Sequence, residues 1–493
     1  MPEPDGDVLA RREAIVAGLR RILLDDGVIA DDEGLKPYES DGLTAYRQVP
    51  IAVALPRSTR EVAEILRYCH DEGVKVVPRG GGTSLSGGAL PLADGIVLGL
   101  GRLNRVLSID LANRCAVVQP GVTNLAISQA VAHAGFYYAP DPSSQIACTI
   151  GGNVAENAGG LHCLKYGLTT HNVLGIELVT IAGDVIRLGG RHLDAEGYDI
   201  LAVMTGSEGL LGVVTEVTVR LLRKPATARA VLLGFAGNPA AGACVAKIIA
   251  AGIIPAGMEM MDRDAIHAAE EFCHAGYPLD VEAILIVEVD GFPSEVDALV
   301  DRVQAIAKGV GATHLRVSHS EAERTALWAG RKNALPAVGR LAPDYYVMDG
   351  TIPRRRLPEV LSRIAELSQR YALRVANVFH AGDGNLHPLI LYDAAIPGEL
   401  ERAEELGSAI LTACVEVGGV LTGEHGVGVE KRDLMGTMFN ERDLAHQMRL
   451  KCAFDPDARL NPGKMFPTLH RCAELGRLHV HAGQLRFPDL PRF

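Results

Sequence analysis

The sequence lacks a long uninterrupted apolar segment. Its most apolar stretch, residues 248–261, is short and is interrupted by Gly252, Pro255 and Glu259. A helix that spans a membrane needs about 20 consecutive apolar residues, so this stretch cannot form one. The first residues are acidic and poor in apolar side chains, unlike a secretory signal. We therefore expect a cytoplasmic protein with no direct membrane span.

Paired cysteines and basic clusters are also missing. None of the nine cysteines stands in a CxxC pair, which argues against a zinc knuckle or an iron–sulfur cluster bound by this chain. The net charge is −12, lysine and arginine are dispersed, and only 5% of the residues are aromatic. A nucleic-acid-binding surface needs clustered basic residues with aromatic ones among them, so we expect no nucleic-acid partner.

Apolar residues, by contrast, are abundant over a long chain. With 493 residues, of which 48% are hydrophobic, the chain can build two to four domains with substantial cores. Strand and helix patterns alternate from about residue 50, a second α/β stretch covers 173–188, and the composition changes near residue 225. We predict a helical lead-in over 1–45, a first domain over 46–224, a second domain over 225–466 and a tail over 467–493.

Local signals support this alternation. Ser58 and Glu61 have the spacing of a capping box, and apolar residues recur at helical intervals until Gly73. Thr123 likewise stands where it can cap a helix that runs to Gly135. Residues 106–109 and 115–119 read as a hairpin pair.

A glycine-rich segment, residues 79–88, lies between two predicted strands. Its three consecutive glycines allow positive φ angles and let backbone N–H groups converge on an anion. Glycine richness alone could mark a flexible linker, but the flanking strands and three hydroxyl side chains favour a phosphate site. A Rossmann fingerprint would need glycine where Leu85 stands, and the Gly-Lys-Ser/Thr ending of a Walker A loop is absent. The segment therefore predicts a dinucleotide or phosphate held by a less common fold.

Three further clusters of small residues follow in the same predicted domain. They cover residues 141–153, 156–160 and 205–215. Each alone could be ordinary turn chemistry. Together with the first loop they suggest that the backbone closely approaches a large flat ligand.

In sequence and order, these segments resemble the FAD-binding domain of the vanillyl-alcohol oxidase type, also called the PCMH type. The resemblance implies an α+β fold: a two-subdomain FAD-binding domain plus an α+β C-terminal cap domain of FAD-linked oxidases. Covalent members carry a histidine after the glycine pair of the first loop, where this chain has Gly82 or Thr83, so non-covalent FAD is expected. The implied FAD-binding residues are Arg79, Gly80, Gly81, Gly82, Thr83, Ser84, Ser86, Gly87, Pro142, Ser143, Gly151, Gly152, Asn153, Gly159, Gly206, Glu208, Gly209, Gly212 and Val213.

A second constellation lies near the end of the second predicted domain. His380 and His387 stand seven residues apart around a Gly-Asp-Gly turn, and Glu424 lies in a glycine-flanked loop some forty residues later. Two histidines and a carboxylate form an open zinc set, and Mn²⁺ or Fe²⁺ is also compatible. Asp383 is a rival ligand, or else it stabilises the turn. Because His425 adjoins Glu424, it is a candidate general base rather than a further ligand.

This pattern resembles the C-terminal domain of FAD-linked 2-hydroxy-acid dehydrogenases, a group that includes D-lactate and D-2-hydroxyglutarate dehydrogenases. The resemblance implies that His380, His387 and Glu424 hold a divalent metal and that His425 abstracts a proton. It also implies that Arg331, beside the only tryptophan, binds the substrate carboxylate. On sequence alone, a solvated arginine on a helix face is an equal alternative for Arg331.

Segments 137–148, 375–380 and 467–474 resemble, more specifically, the FAD-linked subunits of bacterial glycolate oxidases. This implies oxidation of glycolate to glyoxylate, with D-lactate as a slower substrate. It also implies a complex with a second FAD-domain subunit and an iron–sulfur subunit, peripheral at the inner face of the cytoplasmic membrane. The alternatives are a stand-alone D-lactate dehydrogenase, a metallohydrolase and a non-catalytic flavin scaffold. We hypothesise that the tail, 467–493, docks a partner.

Overall fold

The computed structural model describes residues 1–23, 26–193 and 197–467. Nearly all of the predicted tail lies outside these residues. No helix within the described ranges is long and apolar enough to cross a membrane.

The helix after Ser58 illustrates how local sequence determines an element. The Ser58 hydroxyl accepts a hydrogen bond from the backbone N–H of Glu61 at 3.2 Å, which caps the helix Thr59–Glu72. The Glu61 side chain accepts from the Arg57 N–H at 2.6 Å, one residue earlier than in a capping box. Gly73 ends the helix with a φ of +71°. The prediction of this helix is confirmed.

The first half of the chain forms three sheets and short helices. Its strands are β1 Val28–Ile29, β2 Ala52–Ala54, β3 Lys75–Arg79, β4 Gly95–Gly99, β5 Val106–Asp110, β6 Cys115–Val118, β7 Phe136–Tyr137, β8 Val173–Val179, β9 Val185–Gly189, β10 Val213–Arg220 and β11 Leu222–Arg223. Its helices are α1 Gly6–Ala10, α2 Arg12–Ile22, α3 Asp32–Leu35, α4 Thr59–Glu72, α5 Asn124–Val131, α6 Ile150–Glu156, α7 Cys163–Tyr166 and α8 Ile200–Met204.

Two of these sheets, each with its own hydrophobic core, correspond to the two subdomains expected of the FAD-binding domain. The four-stranded sheet has the order β1-β2-β4-β3, in which β4 pairs in parallel with β2 and β3. The five-stranded sheet is antiparallel, with the order β5-β6-β10-β8-β9, and it contains the predicted β5–β6 hairpin. The remaining pair is β11-β7. The glycine-rich segment leaves the carboxyl end of β3, the end where parallel sheets bind ligands.

One local prediction was wrong, and another is confirmed only in part. The 173–188 stretch contains no helix: β8 and β9 form an antiparallel hairpin. Its turn is closed by a hydrogen bond from the Thr180 N–H to the Asp184 carbonyl at 2.9 Å, and Gly183 takes a φ of +82° there. Thr123 precedes α5 without a side-chain capping bond. That helix ends at Val131, and a 3₁₀ turn continues it to Gly135.

The second half of the chain forms a larger unit. Its strands are β12 Thr227–Phe235, β13 Gly257–Asp262, β14 Ala283–Gly291, β15 His314–Val317, β16 Asp344–Val347, β17 Gly350–Thr351, β18 Val375–Phe379, β19 Asn385–Leu386 and β20 Pro388–Tyr392. Its helices are α9 Asn238–Ala250, α10 Arg263–Cys273, α11 Pro293–Gly309, α12 Glu321–Lys332, α13 Ala334–Val338, α14 Leu357–Tyr371, α15 Glu399–Glu416, α16 Met435–Met438 and α17 Glu441–Phe454.

A seven-stranded antiparallel sheet organises this unit. Its order is β15-β12-β14-β13-β18-β20-β16. Helices α9, α11, α14 and α15 pack on one face and α10, α12 and α13 on the other, which gives two hydrophobic cores. Because both faces are covered, the central strands β13 and β14 are buried along almost their whole length, and both are mostly apolar with two acidic residues each. A polar residue in such a strand therefore needs a partner in the interior.

The described chain ends by returning to the first unit. Leu460 forms a parallel bridge with Val76 and packs into the core around the four-stranded sheet. The Asn461 side-chain amide donates to the carbonyls of Gly88 at 2.9 Å and Glu208 at 2.7 Å. Residues 460–461 thereby connect two of the predicted flavin segments.

Candidate active site

One cavity is lined by residues of both units. The first unit contributes the glycine-rich segment and the backbone around residues 142–144, 149–153 and 207–213. The second contributes Arg331, Leu335, His387, Glu424 and His425. The predicted flavin segments and most of the predicted catalytic cluster thus face a common space.

Most of the predicted FAD-binding residues line this cavity, but Ser86, Gly87, Gly159 and Gly206 do not. Ser86 is fully buried, and its hydroxyl donates to the His425 carbonyl at 2.9 Å. Gly87 packs on the side chain of Val429, which would lie 3.3 Å from an added Cβ. These two residues contact the loop that carries the catalytic cluster. For Gly159, an added Cβ would meet a side-chain oxygen of Glu424, and Gly206 turns with a φ of +83°.

The backbone of the glycine-rich segment packs closely against Ala147 and Thr149. An added Cβ at Gly81 would lie 2.6 Å from the Ala147 carbonyl oxygen, and one at Gly80 would lie 2.4 Å from the Thr149 hydroxyl. Only glycine allows this approach, which brings the segment beside the start of α6 at Gly151 and Gly152. A glycine loop beside a helix N-terminus offers converging N–H groups, so the residues fit the diphosphate of a dinucleotide.

The two predicted metal-ligating histidines meet across a tight turn. His380 follows β18 and bridges to Asn385, while His387 lies between β19 and β20. Gly384 has a φ of +86°, and an added Cβ there would lie 2.2 Å from the Ile352 carbonyl oxygen. The two imidazole centroids are 4.9 Å apart with planes inclined by 83°. Asp383 accepts a hydrogen bond from the Asn385 N–H at 3.1 Å. This contact agrees with the turn-stabilising role of Asp383, the alternative to its role as a metal ligand.

Glu424 completes a set of three donors. Its Oε1 lies 3.1 Å from His380 Nε2 and 3.4 Å from His387 Nε2, and the three ligand atoms lie within 4.8 Å of one another. His387 Nε2 is buried without a hydrogen-bond partner. An orphaned buried nitrogen beside a carboxylate fits a divalent metal, and a three-residue set leaves positions open for substrate.

The charges of this set are strongly coupled. Burial raises the pKa of Glu424, but His380 and His387 outweigh it and lower that pKa to about 2. Burial lowers the pKa of His380, but Glu259 and Glu424 raise it well above its usual value. Because ligation needs an unprotonated imidazole, a metal bound here would displace a proton from His380.

The loop that carries Glu424 and His425 is wrapped around Asp349. This fully buried carboxylate accepts from the N–H groups of Gly423 at 3.0 Å and His425 at 2.9 Å, and from the Thr422 hydroxyl at 2.6 Å. Lys431, also fully buried, lies 3.5 Å from it. The orientation of His425 is therefore set by backbone hydrogen bonds.

His425 is the residue of this loop suited to accept a proton. Its ring stacks on that of His387, with centroids 4.9 Å apart and planes inclined by 9°. Its Nδ1 is buried without a hydrogen-bond partner. Burial lowers the pKa of His425 to about 4, so the imidazole is neutral near pH 7 and has a free lone pair.

Arg331, at the end of α12, is only 1% exposed. The alternative of a solvated arginine on a helix face is therefore wrong. Its Nε donates to Glu259 Oε2 at 2.8 Å, while Nη1 has no partner. A buried guanidinium with an unused N–H group at a cavity suits an anionic ligand.

Sequence reasoning missed three buried residues of the site, Glu259, Asp349 and Lys431. Asp349 gave no distinct signal, because the groups that it binds lie over seventy residues away in the chain. Lys431 gave none either, since its local partners, Glu430 and the Gly426 carbonyl, do not indicate a site. Glu259 did give a signal in the sequence, since it interrupts the most apolar stretch of the chain.

Comparison with known proteins adds an independent line of evidence. The family described as "FAD binding domain" matches residues 50–189, and that described as "FAD linked oxidases, C-terminal domain" matches residues 224–465. The glycolate oxidase subunit GlcD of Escherichia coli K12 is 58% identical over 99% of this chain and 97% of its own length. That of Bacillus subtilis is 40% identical over 87% of this chain and 92% of its own length.

More distant similarities also extend over most of the chain. A D-lactate dehydrogenase of Archaeoglobus fulgidus is 32% identical over 84% of this chain and 90% of its own length. The structure of 4-ethylphenol oxidase from Gulosibacter chungangensis superposes with a TM-score of 0.79 at 19% identity, covering 95% of this chain and 99% of that one. The predicted α+β fold class, with its two-subdomain FAD-binding part and cap, is thereby confirmed. The chain belongs to the family of FAD-linked oxidases that includes the glycolate oxidase GlcD subunits.

Proposed function

We infer that this protein oxidises glycolate to glyoxylate with FAD, as the catalytic flavin subunit of a glycolate oxidase complex. The observation that carries this inference is the shared cavity, in which the glycine-rich segment faces Arg331, Glu424 and His425. The 58% identity to the E. coli GlcD subunit over almost the whole chain supports the substrate.

In this proposal, Arg331 binds the substrate carboxylate through its unused Nη1. His380, His387 and Glu424 hold a divalent metal, Zn²⁺ or Mn²⁺/Fe²⁺, that supplies Lewis acidity to the substrate oxygens. Non-covalently bound FAD supplies the two-electron acceptor for the hydride that leaves Cα. The protein's own part is to hold the substrate's Cα between these groups and to accept the proton of the substrate's hydroxyl group.

His425 takes the hydroxyl proton on its unprotonated ring nitrogen. Its lowered pKa keeps the ring neutral and ready to accept a proton, and Asp349 fixes the backbone that aims it. Loss of one proton and one hydride converts the alcohol carbon of glycolate into the aldehyde carbon of glyoxylate. The reaction balances without any further reactant.

The partners we propose are a second FAD-domain subunit and an iron–sulfur subunit, which hold the protein at the inner face of the cytoplasmic membrane. The name of the E. coli relative, a glycolate oxidase subunit, supports assembly into a complex. The absence of any CxxC pair from this chain supports a separate iron–sulfur subunit. We also retain the domain division 46–224 and 225–466, with the tail 467–493 as a docking element. If deletion of the tail leaves assembly intact, the docking role is wrong.

A stand-alone D-lactate dehydrogenase is the second candidate, favoured by the A. fulgidus relative. Anaerobic mixing of the purified protein with glycolate or D-lactate, while the flavin absorbance near ~450 nm is followed, separates the two. We expect bleaching by both substrates, with a higher kcat/KM for glycolate. A higher value for D-lactate without partner subunits would favour the second candidate. A colourless protein would contain no flavin, which would overturn both candidates and leave the metallohydrolase as the remaining alternative.

A further inference from the structure

Glu259 lies in the middle of β13, in the interior of the seven-stranded sheet. It is 1% exposed, and its neighbours in the strand, Met258 and Met260, are buried apolar residues. A carboxylate in such a position is costly unless charged or hydrogen-bonding groups satisfy both of its oxygens. Both oxygens are satisfied here, and by two different parts of the active site.

One carboxylate oxygen of Glu259 pairs with Arg331. Oε2 accepts from Arg331 Nε at 2.8 Å and lies 2.7 Å from Nη2. This pairing neutralises a guanidinium that is itself 1% exposed. It also uses one edge of the guanidinium and leaves Nη1 free to bind a ligand.

The other carboxylate oxygen of Glu259 contacts His380, one of the proposed metal ligands. Oε1 lies 2.9 Å from His380 Nδ1. An Nδ1–H that donates to a carboxylate fixes the tautomer, so that the lone pair is on Nε2. That nitrogen is the one that faces Glu424, at 3.1 Å. Neutralising Arg331 alone would not require this second contact.

We propose that Glu259 is a positioning residue that couples the carboxylate-binding arginine to the metal site. The inference rests on the proposed function, since it needs both a substrate carboxylate and a metal. A rigid carboxylate between the two fixes the distance from the guanidinium to the metal. It thereby selects acids whose hydroxyl group is adjacent to the carboxylate, and it makes ligand binding at each site depend on the other.

Glu259→Gln tests this coupling, because the amide keeps the shape but cannot satisfy both the arginine and the histidine. The readouts are metal content by elemental analysis, metal affinity by competition with a chelator, and oxalate affinity from the perturbation of the flavin spectrum. We expect metal affinity about 10- to 100-fold lower, as for other residues that orient a metal ligand. We expect oxalate to bind at least about tenfold more weakly and FAD content to stay unchanged.

Glu288→Gln is the matched control. Glu288 is likewise buried, on the neighbouring strand β14, but it binds His162, Arg324 and Trp328 away from the cavity. Its substitution weakens the His162 bridge between the units but removes no hydrogen bond or ion pair of Arg331 or of the proposed metal ligands, so metal affinity should stay as in the wild type. Equal losses in both variants would mean that any buried carboxylate of this sheet has the same effect, and the inference would fail.

A second measurement starts from Arg331→Lys, and its result in the wild-type background does not depend on how Glu259→Gln folds. The ion-pair partner of Arg331 is Glu259 and none of the three proposed metal ligands, so we expect Arg331→Lys to affect metal affinity through Glu259. We expect it to change the metal Kd more than about threefold in the wild-type background and not in Glu259→Gln, which is the signature of coupled residues. An unchanged metal Kd in Arg331→Lys overturns the coupling alone. A wild-type protein that binds no divalent metal overturns the proposed metal site and this inference together.

Discussion

Gly159 lies so close to Glu424 that a Cβ added to the glycine would be 2.5 Å from the Oε2 of the glutamate. The glycine belongs to the first unit and the glutamate to the second. A methyl group at this position would displace the carboxylate, so the position of a proposed metal ligand depends on a glycine of the other unit.

Gly159→Ala is therefore expected to lower metal affinity by about tenfold or more, the effect of displacing a ligand's support. The measurement is metal content after dialysis against a weak chelator, with FAD content taken from the absorbance spectrum. Gly436→Ala serves as the control, because an added Cβ there meets nothing within 4 Å. Full metal retention in Gly159→Ala would contradict the proposed role of Glu424 as a ligand.

His425→Ala should lower the rate of flavin reduction by glycolate by about 10² to 10⁴, the usual contribution of a general base. FAD should be retained, because the flavin segments of the first unit are untouched. Stopped-flow reduction under anaerobic conditions measures the rate. His446→Ala is the control, since His446 lies on the exposed side of α17. Unchanged turnover in His425→Ala would instead support a non-catalytic flavin scaffold.

Arg331→Lys should raise the KM for glycolate by about 10- to 100-fold, the loss expected for a charged hydrogen bond. Lysine keeps the charge but not the planar fork that pairs with Glu259 while binding a carboxylate. Steady-state kinetics with saturating acceptor measure the change. The control is Arg355→Lys, at an exposed position. A KM like that of the wild type would exclude Arg331 from substrate binding.

His162 connects the two units, and we expect this connection to depend on pH. Its Nδ1 lies 2.7 Å from Asp141 of the first unit and its Nε2 lies 3.2 Å from Glu288 of the second. Burial lowers the pKa of His162, but the two carboxylates outweigh it and raise that pKa to about 10. The folded pKa exceeds the unfolded value of about 6.5, so the bridge stabilises fully below that pH and is lost as the pH rises towards 10.

The melting temperature of His162→Gln should accordingly lie furthest below that of the wild type at pH 6. The difference should shrink steadily between pH 7 and pH 10. Thermal scans at fixed ionic strength measure it, with His133→Gln as an exposed control. A difference that grows with pH would mean that His162 is neutral in the folded protein.

The fold and the site were predictable to different degrees. Helix α4 and the β5–β6 hairpin were predictable because their capping and turn signals are local. The 173–188 hairpin was misjudged because Gly183 and the Thr180–Asp184 bond close a turn that periodicity alone does not reveal. His380 and His387 were found because glycines flank them in the chain.

The residues around that cluster were harder to foresee, because tertiary packing brings them in. Asp349 holds the loop of Glu424 and His425 through backbone N–H groups and the Thr422 hydroxyl, which lie over seventy residues away in the chain. Glu259 stands out in an apolar stretch, yet its two partners come from a helix and a strand end elsewhere in the sequence. An isolated acidic residue in an otherwise apolar strand indicates that it has a buried partner, but the sequence does not show which residue that partner is.

The return of the chain to the first unit has a consequence for how the protein is made. Leu460 fills a place beside Val76, and Asn461 ties Gly88 to Glu208. These contacts cannot form until nearly the whole chain has left the ribosome, although the strands that they complete are synthesised early. We therefore expect flavin capture to be a late event in biosynthesis, and a chain that terminates before residue 460 to emerge without its cofactor.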